Sequence, residues 1–560
     1  MLDFFEGNDK MEILKTKIFT RRNIIIALFV IFLFLRLFVS YPHSALGADN
    51  LKYLELSKIF PYHTLYNNQL YINHGPFYPY VIYFFTFIFQ DDFIAAIFIN
   101  LLSASITFFI AYKLFMMLSK NFYVALIALL FFTLAVELII ASHEALKESF
   151  TVMLIISSIY FYIKGVKFYD KKSLLFASLF GGALALTVDH VIFLFPIFIL
   201  SYIFFNKERI NLKKFIFPNL KYAAIPFLIT LVLYSSWLGV KAYQYSTNEY
   251  YPAGLEGTPV ATKNFDIIQL LNPLYFDDYE PRITTGFNTR IRSYVHNLGY
   301  MFNTIPFDIP RGLNFTSMHY ILFPKHVVYM ILLYLPIALM TAFSFLYIIW
   351  SFIKTKKIYN NTNLYLILVF LIFIFPLTQQ HNSQRYILTD HIFLFYFIGF
   401  GFFMFLKRFN ILGIYKKLIP LMIILLLILV PFWYYNNNNF VLFDTKVATP
   451  YNTVEFINNN IEKSNAIMAQ PGYTVKLIYW TGNRVLGLPS LSENLLPLIN
   501  YYDVDYIVFG TFYTIDNYQY AINSIKFVQE HPEKFKLVTA LNEDYGKNIK
   551  DKVFIYKVIK

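Results

Sequence analysis

The chain has 560 residues, of which 57% are hydrophobic, 20% aromatic and only 14% charged, with a net charge of +13. Soluble domains are about half apolar and about a quarter charged, so this composition excludes an ordinary soluble enzyme and predicts a membrane protein with many spans. Cysteine is absent, which excludes disulfides, thiol catalysis and cysteine-ligated metal sites.

Apolar runs recur along the first 435 residues, and a helix needs about 17–25 such residues to cross a bilayer. We predict about eleven transmembrane helices, near residues 23–41, 93–117, 122–141, 149–163, 173–188, 191–205, 222–240, 327–353, 362–378, 389–406 and 418–435. The fold class is therefore a polytopic α-helical membrane protein. Its transmembrane domain is predicted to occupy residues 1–435, and a separate C-terminal domain residues 436–560.

Basic residues lie mainly on one side of these predicted spans. Nearly half of the 47 Lys and Arg residues come before the first span or after every second span that follows. Because cytoplasmic loops carry an excess of basic residues, this side is predicted to be cytoplasmic. The N-terminus is then cytoplasmic and the C-terminal domain extracytoplasmic, in a multi-pass protein of the cell (plasma) membrane. The basic surplus indicates topology, and nucleic acid is not an expected partner.

One apolar segment interrupts this alternation. Residues 74–90 contain Pro76 and Pro79, and counting them as a span would move the basic clusters at 113–120 and 164–172 to the outside. We therefore predict a juxtamembrane helix that lies against the outer interface in the first outer loop.

The C-terminal 125 residues alternate short apolar runs with helical patterns. The runs at 466–469, 484–488, 506–509, 536–540 and 553–558 predict strands, and the patterns at 454–461, 475–480, 493–501 and 518–531 predict helices. This pattern is typical of a small α/β domain. It contains no phosphate-binding glycine loop, metal-ligand spacing or nucleophile elbow, so a structural or acceptor-docking role is favoured.

Acidic residues at the outer ends of spans are informative because the chain has so few charges. Asp49 follows the first span, and a helical pattern continues through Tyr53, Glu55 and Lys58. An aspartate at this point is suited to cap a helix. It is equally suited to chemistry at the membrane surface, so both interpretations stay open.

A second acidic cluster occupies residues 142–148, between the third and fourth spans. If this segment is helical, Glu144 and Glu148 lie one turn apart on one face, with Lys147 beside them. Two carboxylates at such a place need a facing cation or metal ion, unless they form an interfacial hinge solvated by headgroups. Asp49 and this cluster are predicted to flank one cavity at the outer face.

Basic side chains at the same predicted depth include His74, His190 and Arg385. Arginine is suited to bidentate capture of phosphate, which indicates a substrate with an anionic headgroup. The alternative for any single arginine is an interfacial side chain that reaches toward lipid phosphates.

Four stretches together resemble the GT-C class of integral-membrane glycosyltransferases, in particular its protein O-mannosyltransferase and lipid A aminoarabinose-transferase branch. They are Gly47-Ala-Asp49 with the tyrosine-containing helix after it, His74-Gly-Pro-Phe-Tyr-Pro79, Lys147-Glu148-Ser-Phe at the start of the fourth span, and Gln384-Arg385-Tyr386 before a late span. The tail segment 479–484 also resembles the outer domain of prokaryotic members.

This resemblance implies an enzyme that takes a sugar from a dolichyl or undecaprenyl phosphate carrier. The sugar goes to a protein, lipid or glycan acceptor on the outer side of the membrane. The resemblance implies that Asp49 is the general base that removes the proton of the acceptor hydroxyl. Cationic Arg385, His74 and Lys147 would stabilise the charge on the departing phosphate.

The resemblance also assigns supporting roles. Glu148, with Glu144, would orient the acceptor or bind a divalent cation, which is the one cofactor considered. Tyr386 and His190 would complete the donor-phosphate site. Relatives often carry Lys or Arg where this chain has His190, so the donor's phosphate site differs from theirs. The Trp-Trp-Asp signature of oligosaccharyltransferases is absent, so transfer of a whole glycan to asparagine is not expected.

Two other classes remain open from the sequence alone. A transporter or lipid flippase commonly has related halves and broken helices near the bilayer midplane. This chain shows no internal repeat, and its acids lie at span ends. A non-catalytic membrane scaffold that presents the C-terminal domain is the third possibility, and loss of Asp49 would leave its role unchanged.

Overall fold

The computed structural model describes residues 21–37, 48–58, 64–65, 69–70, 75–142, 145–206, 208, 216–217, 219–247, 335–355, 361–374, 388–408, 450–470, 473–489, 492, 495–510, 515–544 and 550–560. The predicted span at 418–435 lies outside these ranges. So does the predicted domain boundary at residue 436.

The described residues up to 408 are mostly helical. The α-helices are α1 (Arg21–Leu37), α2 (Ala48–Lys58), α3 (Phe77–Phe89), α4 (Asp92–Ser119), α5 (Phe122–Leu134), α6 (Val136–Ala141), α7 (Glu148–Phe168), α8 (Lys171–Ala185), α9 (Leu194–Phe205), α10 (Leu220–Thr247), α11 (Leu335–Thr355), α12 (Thr362–Ile374) and α13 (Leu388–Arg408). A short hairpin of β1 (Thr64–Leu65) and β2 (Gln69–Leu70) follows α2, and a 3-10 helix spans Asp189–Phe193.

Four of the described helices are long and apolar enough to cross a membrane. They are Asp92–Ser119, Glu148–Phe168, Leu220–Val240 and His391–Arg408, accompanied by shorter apolar helices. The segment predicted to be juxtamembrane forms α3, whose 13 residues extend about 20 Å.

Tight polar turns join consecutive helices. The Asp91 carboxylate caps α4 by accepting a hydrogen bond from the Ile94 N–H at 2.8 Å. The Asn121 side chain caps α5 by accepting one from the Tyr123 N–H at 2.9 Å. Between these helices, Lys120 takes a left-handed conformation (φ 52°) that ends α4. Such caps satisfy N–H groups that a helix end leaves unpaired, so the polar residues between apolar runs set the helix boundaries.

The span predicted at 122–141 is not one continuous helix. It is broken at Ala135, which has an extended backbone, and α6 begins at the next residue. The physical cause is a buried arginine. The Arg36 guanidinium donates to the carbonyls of Phe132 and Thr133, each at 3.4 Å, at the end of α5. Single-sequence hydropathy does not reveal this contact, because it joins residues about a hundred positions apart.

Residues 450–560 form an α/β unit, called here the C-terminal unit. Its helices are α14 (Tyr451–Asn460), α15 (Thr474–Thr481), α16 (Leu495–Tyr502) and α17 (Ile515–Glu530), and its strands are β3 (Ala466–Ala469), β4 (Arg484–Gly487), β5 (Val504–Gly510), β6 (Phe535–Asp544) and β7 (Lys550–Val558). The five strands pair in the order β4-β3-β5-β7-β6, with β3 parallel to β4 and β5 and with β7 antiparallel to β5 and β6.

The helices cover both faces of this sheet. Residues of α16 and α17, such as Leu495 and Val528, are buried against one face. Residues of α14 and α15, such as Ile457 and Leu477, are buried against the other. Each strand and helix predicted from the sequence in this region coincides with one of these elements to within a few residues.

Candidate active site

A buried asparagine connects three of the segments that the sequence analysis singled out. Asn100, in α4, is fully buried, and its side-chain amide donates to the Tyr78 hydroxyl at 3.0 Å and to the Leu146 carbonyl at 2.8 Å. The Asn100 carbonyl accepts a hydrogen bond from the Ser149 hydroxyl at 3.1 Å. One residue of α4 therefore fixes α3, the segment before α7 and the first turn of α7. We call Asn100, Tyr78, Leu146 and Ser149 the frame.

The helix that contains Asp49 packs on this frame. Tyr53, one turn after residue 49 in α2, is 2% exposed. Its ring meets the Tyr78 ring edge-on with centroids 5.4 Å apart, and the Tyr78 ring is 5.5 Å from Phe150. Aromatic pairs at such distances contribute about 0.5–1.5 kcal/mol beyond the burial of their area. The helix α2 is therefore held next to the start of α7.

Two predicted site residues lie at that start. Lys147 is the N-cap residue of α7, and Glu148 is its first residue. The ammonium nitrogen of Lys147 is 5.8 Å from the centroid of the Tyr53 ring. A carboxylate in the first turn is favoured by the helix dipole, which also makes this helix end attractive to other anions.

The hydroxyl of Tyr78 is buried, and its surroundings change its pKa. Burial raises the pKa of the Tyr78 hydroxyl, and the hydrogen bond from Asn100 opposes this shift. The negative charge of Glu148 raises this pKa further. Tyr78 is therefore a neutral hydroxyl within the frame.

The turn that follows residue 74 is held against a different part of the chain. A Cβ atom at Gly75 would lie 2.1 Å from the Leu186 carbonyl oxygen, so only glycine fits there. The Phe77 N–H donates to the same oxygen at 3.0 Å. This contact brings Gly75 next to the end of α8, three residues before the 3-10 helix that contains residue 190.

The structure adds a charged residue that the sequence analysis missed. Arg36 is fully buried, and besides the two α5 carbonyls its guanidinium donates to the Ser142 hydroxyl at 3.2 Å and stacks on the Phe32 ring at 3.7 Å. Ser142 begins the acidic cluster at 142–148, so Arg36 ties the first span to that cluster. The signal was present in the sequence, because a charged residue inside an apolar run is a site candidate by default.

The structure thus brings together three of the predicted stretches, at residues 48–58, 75–79 and 145–150, while several predicted side chains are not among those described. Lys147 and Glu148 are described in full, whereas only the backbones of Asp49 and His190 are described, and His74, Glu144, Arg385 and Tyr386 lie outside the described residues. The segment between Glu144 and Glu148, considered as a helix in the sequence, is not helical where it is described. Residues 145–147 form bends, because Leu146 gives its carbonyl to Asn100, and the helix starts only at Glu148.

A divalent cation would need several oxygen ligands. Within the described ranges, no group of three His, Asp or Glu side chains is placed to hold a metal ion. Glu148 is one suitable oxygen ligand, and Glu144 lies outside the described residues. The described side chains do not by themselves make a metal site, so no step of the chemistry below depends on a metal.

Three comparisons with known proteins bear on this site. Residues 73–238 match the family model described as dolichyl-phosphate-mannose-protein mannosyltransferase. These residues include Asn100, Tyr78, Lys147 and Glu148 but make up less than a third of the chain. No curated protein matches the sequence in the second comparison.

Solved structures share the fold at low sequence identity. ArnT from Cupriavidus metallidurans bound to undecaprenyl phosphate matches with a TM-score of 0.53 and 11% identity, over 95% of this chain and 96% of that one. AglB, an oligosaccharyltransferase from Archaeoglobus fulgidus, in complex with an inhibitory peptide and a dolichol-phosphate, matches with a TM-score of 0.51 and 12% identity, over 88% and 69%. The family match and the shared fold confirm the predicted resemblance to GT-C membrane glycosyltransferases.

Proposed function

We propose that this protein is a membrane glycosyltransferase that moves a sugar from a polyprenyl phosphate to a hydroxyl acceptor on the outer side of the membrane. The observation that carries the proposal is the frame. It holds the Asp49 helix and the Lys147–Glu148 pair against one another at one end of the helical bundle. Transfer from a phosphate carrier requires a general base and a cationic group for the phosphate, held at adjacent helix ends.

The carrier class is inferred from the fold neighbours. One ArnT structure is bound to undecaprenyl phosphate, and the AglB complex contains a dolichol-phosphate. A polyprenyl chain suits a protein whose exposed helix surfaces are largely Phe, Ile and Leu, because such surfaces face hydrocarbon. The acceptor is a protein, lipid or glycan hydroxyl.

In the proposed reaction, Asp49 accepts the proton of the acceptor hydroxyl while the oxygen of that hydroxyl attacks the anomeric carbon of the sugar. The bond between that carbon and the phosphate oxygen breaks, and its electron pair leaves with the polyprenyl phosphate. A phosphate is already a fair leaving group, so the nucleophile is where general-base help matters most. Lys147, His74 and Arg385 stabilise the negative charge that collects on the phosphate.

The remaining residues support these groups. Glu148, with Glu144, orients the acceptor hydroxyl toward Asp49, and the pair would be the ligands for a divalent cation if one binds. His190 and Tyr386 contact the donor phosphate. The contact between Gly75 and Leu186 supports this arrangement, since it sets Gly75, the residue after His74 in the sequence, beside the end of α8, which leads to residue 190.

The proposed topology has eleven spans, a cytoplasmic N-terminus and an extracytoplasmic domain at residues 436–560. The alternation of basic clusters supports it. Because the chain has no cysteine, each introduced cysteine is a unique label site. Lys463→Cys, in the exposed turn before β3, should react with an impermeant maleimide in intact cells, and Lys172→Cys, exposed near the start of α8, should not.

The experiment that tests the function is sugar transfer from a panel of radiolabelled polyprenyl-phosphate hexoses by purified protein in detergent. The wild type should transfer label or release carrier, and Asp49→Asn should lose about a hundredfold or more of that rate. Glu455→Gln, an exposed acid on α14, is the control and should match the wild type. If no donor in the panel binds or turns over, the result contradicts the proposal and favours transport.

A further inference from the structure

The C-terminal unit contacts the helix that carries Asp49. Helix α15 packs against α2, and the Tyr479 hydroxyl of α15 donates to the Asp92 carboxylate, at the start of α4, at 3.1 Å. The ammonium nitrogen of Lys58, the last residue of α2, lies 3.9 Å from the centroid of the Tyr479 ring. These three residues come from three parts of the chain, and we call them the latch.

Lys58 also holds two carboxylates. Its ammonium nitrogen is 3.0 Å from a Glu55 oxygen and 3.8 Å from the second Asp92 oxygen. The Glu55 and Asp92 side chains are only 15% and 14% exposed. Burial raises the pKa of Glu55, the charge of Lys58 opposes that shift, and the charge of Asp92 adds to it. Two largely buried acids this close together repel each other, and the partly exposed Lys58 cation offsets that repulsion.

Tyr479 packs against the membrane part and not within its own sheet. Its ring lies against the hydrophobic cluster that the membrane helices build, and Trp480 meets it edge-on at 4.9 Å. Burial raises the pKa of the Tyr479 hydroxyl, and the Asp92 charge adds to that shift, so the hydroxyl stays a donor to Asp92 at any physiological pH. The Tyr479 ring and the Lys58 ammonium form a cation–π contact, in which the Lys58 side chain stays 44% exposed.

We propose that the latch is a positioning device of the active site, in which the C-terminal unit sets the orientation of the helix that carries Asp49. The inference rests on the proposed function for its effect on rate. The helix α2 has 11 residues; Tyr53 contacts the frame, Leu54 and Leu56 are fully buried, and Lys58 in the last turn belongs to the latch. Without the latch, the last turn of α2 loses its polar contacts, and a displacement of about 1 Å at a reacting group can lower a rate about a hundredfold.

The test uses the full chain in lipid nanodiscs and two latch variants. Tyr479→Phe removes the hydroxyl but keeps the ring, and Lys58→Met removes the cation between the two acids. Both should lower kcat about tenfold or more and leave the KM for the polyprenyl-phosphate donor within about twofold, because the donor site is not touched. Lys58→Arg, which keeps the charge, should recover most of kcat.

A second readout does not depend on turnover. Amide hydrogen exchange over residues 50–58 should become at least about tenfold faster in both latch variants, while the amides around Asn100 in α4 keep their protection. Tyr451→Phe and Lys463→Met, at exposed positions of the same unit, are the matched controls and should change neither exchange nor kcat.

The outcomes separate the latch from the proposed function. Unchanged exchange in α2 in the latch variants would overturn the positioning role, whether or not the protein transfers sugar. Faster exchange with an unchanged kcat would also overturn it, because the contact would then be structural only. If no variant and no wild type transfers sugar but exchange rises as expected, the proposed function fails and the latch stands as a contact that orders α2.

Discussion

The membrane part and the C-terminal unit both bury polar groups, but they use them differently. In the membrane part, Asn100 connects three separate segments with three hydrogen bonds. In the C-terminal unit, the buried polar residues hold one sheet to its own helices. Glu543 of β6 accepts from the N–H and hydroxyl of Thr453 in α14, at 2.6 and 2.7 Å, and Asp551 of β7 accepts from the Tyr473 hydroxyl.

The difference follows from the surroundings of the two regions, which are hydrocarbon for the membrane helices and water for the C-terminal unit. Within hydrocarbon, a polar group finds partners only in the protein, so each one constrains the chain and marks a place where the fold needs it. In a water-exposed α/β unit, a buried polar cluster more often fixes register and helix placement. The same type of residue therefore indicates a site in one region and structural support in the other.

Substitution of Arg36 should have the largest effect on stability, and it tests how the membrane helices use their buried polar groups. Arg36→Leu leaves the Phe132 and Thr133 carbonyls and the Ser142 hydroxyl without their donor. Each unsatisfied buried group costs about 1–3 kcal/mol, so we expect a loss of about 3–5 kcal/mol in the free energy of unfolding, measured by SDS titration. Arg36→Lys should recover part of it.

The matched control for Arg36 is Arg22→Leu, an exposed arginine one residue into the same helix. Its free energy of unfolding should stay within about 0.5 kcal/mol of the wild type. An equal, small effect of both substitutions would show that the buried guanidinium does not hold α1 to the acidic cluster.

The next effect concerns the frame. Asn100→Leu keeps the volume but removes the donor to Tyr78 and Leu146. We expect about 2 kcal/mol of destabilisation and a kcat at least about tenfold lower, because the start of α7 is no longer fixed. Ser158→Ala, which removes a buried hydroxyl that donates only to the Leu154 carbonyl within α7, is the control. Ser158→Ala should change the free energy of unfolding and kcat little. A loss of kcat equal to that of Asn100→Leu would show that Asn100 has no role beyond that of any buried polar side chain.

Sequence reasoning recovered much of the fold because periodicity and charge are local properties. The strands β3 to β7, the helix at 77–89 and the start of α7 at Glu148 all follow from short windows of residues. The break at Ala135 was missed, because it depends on Arg36 in another helix. The site was predicted as segments, and the sequence alone could not supply the contact between Asn100 and Tyr78 or that between Tyr479 and Asp92. The latter joins residues 387 positions apart.

The smallest expected effect concerns a buried polar group of the C-terminal unit. Burial lowers the pKa of Lys476 in α15 to about 7, although the nearby charges of Asp551 and Glu543 oppose the shift. In the unfolded chain the pKa of a lysine is about 10.4. At pH values between these two pKa values, the Lys476 side chain is protonated in the unfolded state but not in the folded state, so stability rises with pH.

We therefore expect the free energy of unfolding of the C-terminal unit to increase from pH 7 to 9, with a slope of up to about 1.4 kcal/mol per pH unit. This slope is measured by urea unfolding of the full chain, with proteolysis within residues 450–560 as the readout. Lys476→Met should flatten this dependence and leave kcat unchanged at neutral pH. A slope that persists in the variant would mean that another group titrates.

The most direct test of the central claim compares donor binding with turnover in one preparation. Wild type and Asp49→Asn should bind a polyprenyl-phosphate sugar with the same Kd within about threefold, because the base does not contact the phosphate in the proposed arrangement. Only the wild type should turn the donor over, with a difference of about a hundredfold or more. Equal turnover by both proteins would contradict the role of Asp49, and an Asp49→Asn variant that binds no donor would place this residue in the binding site instead.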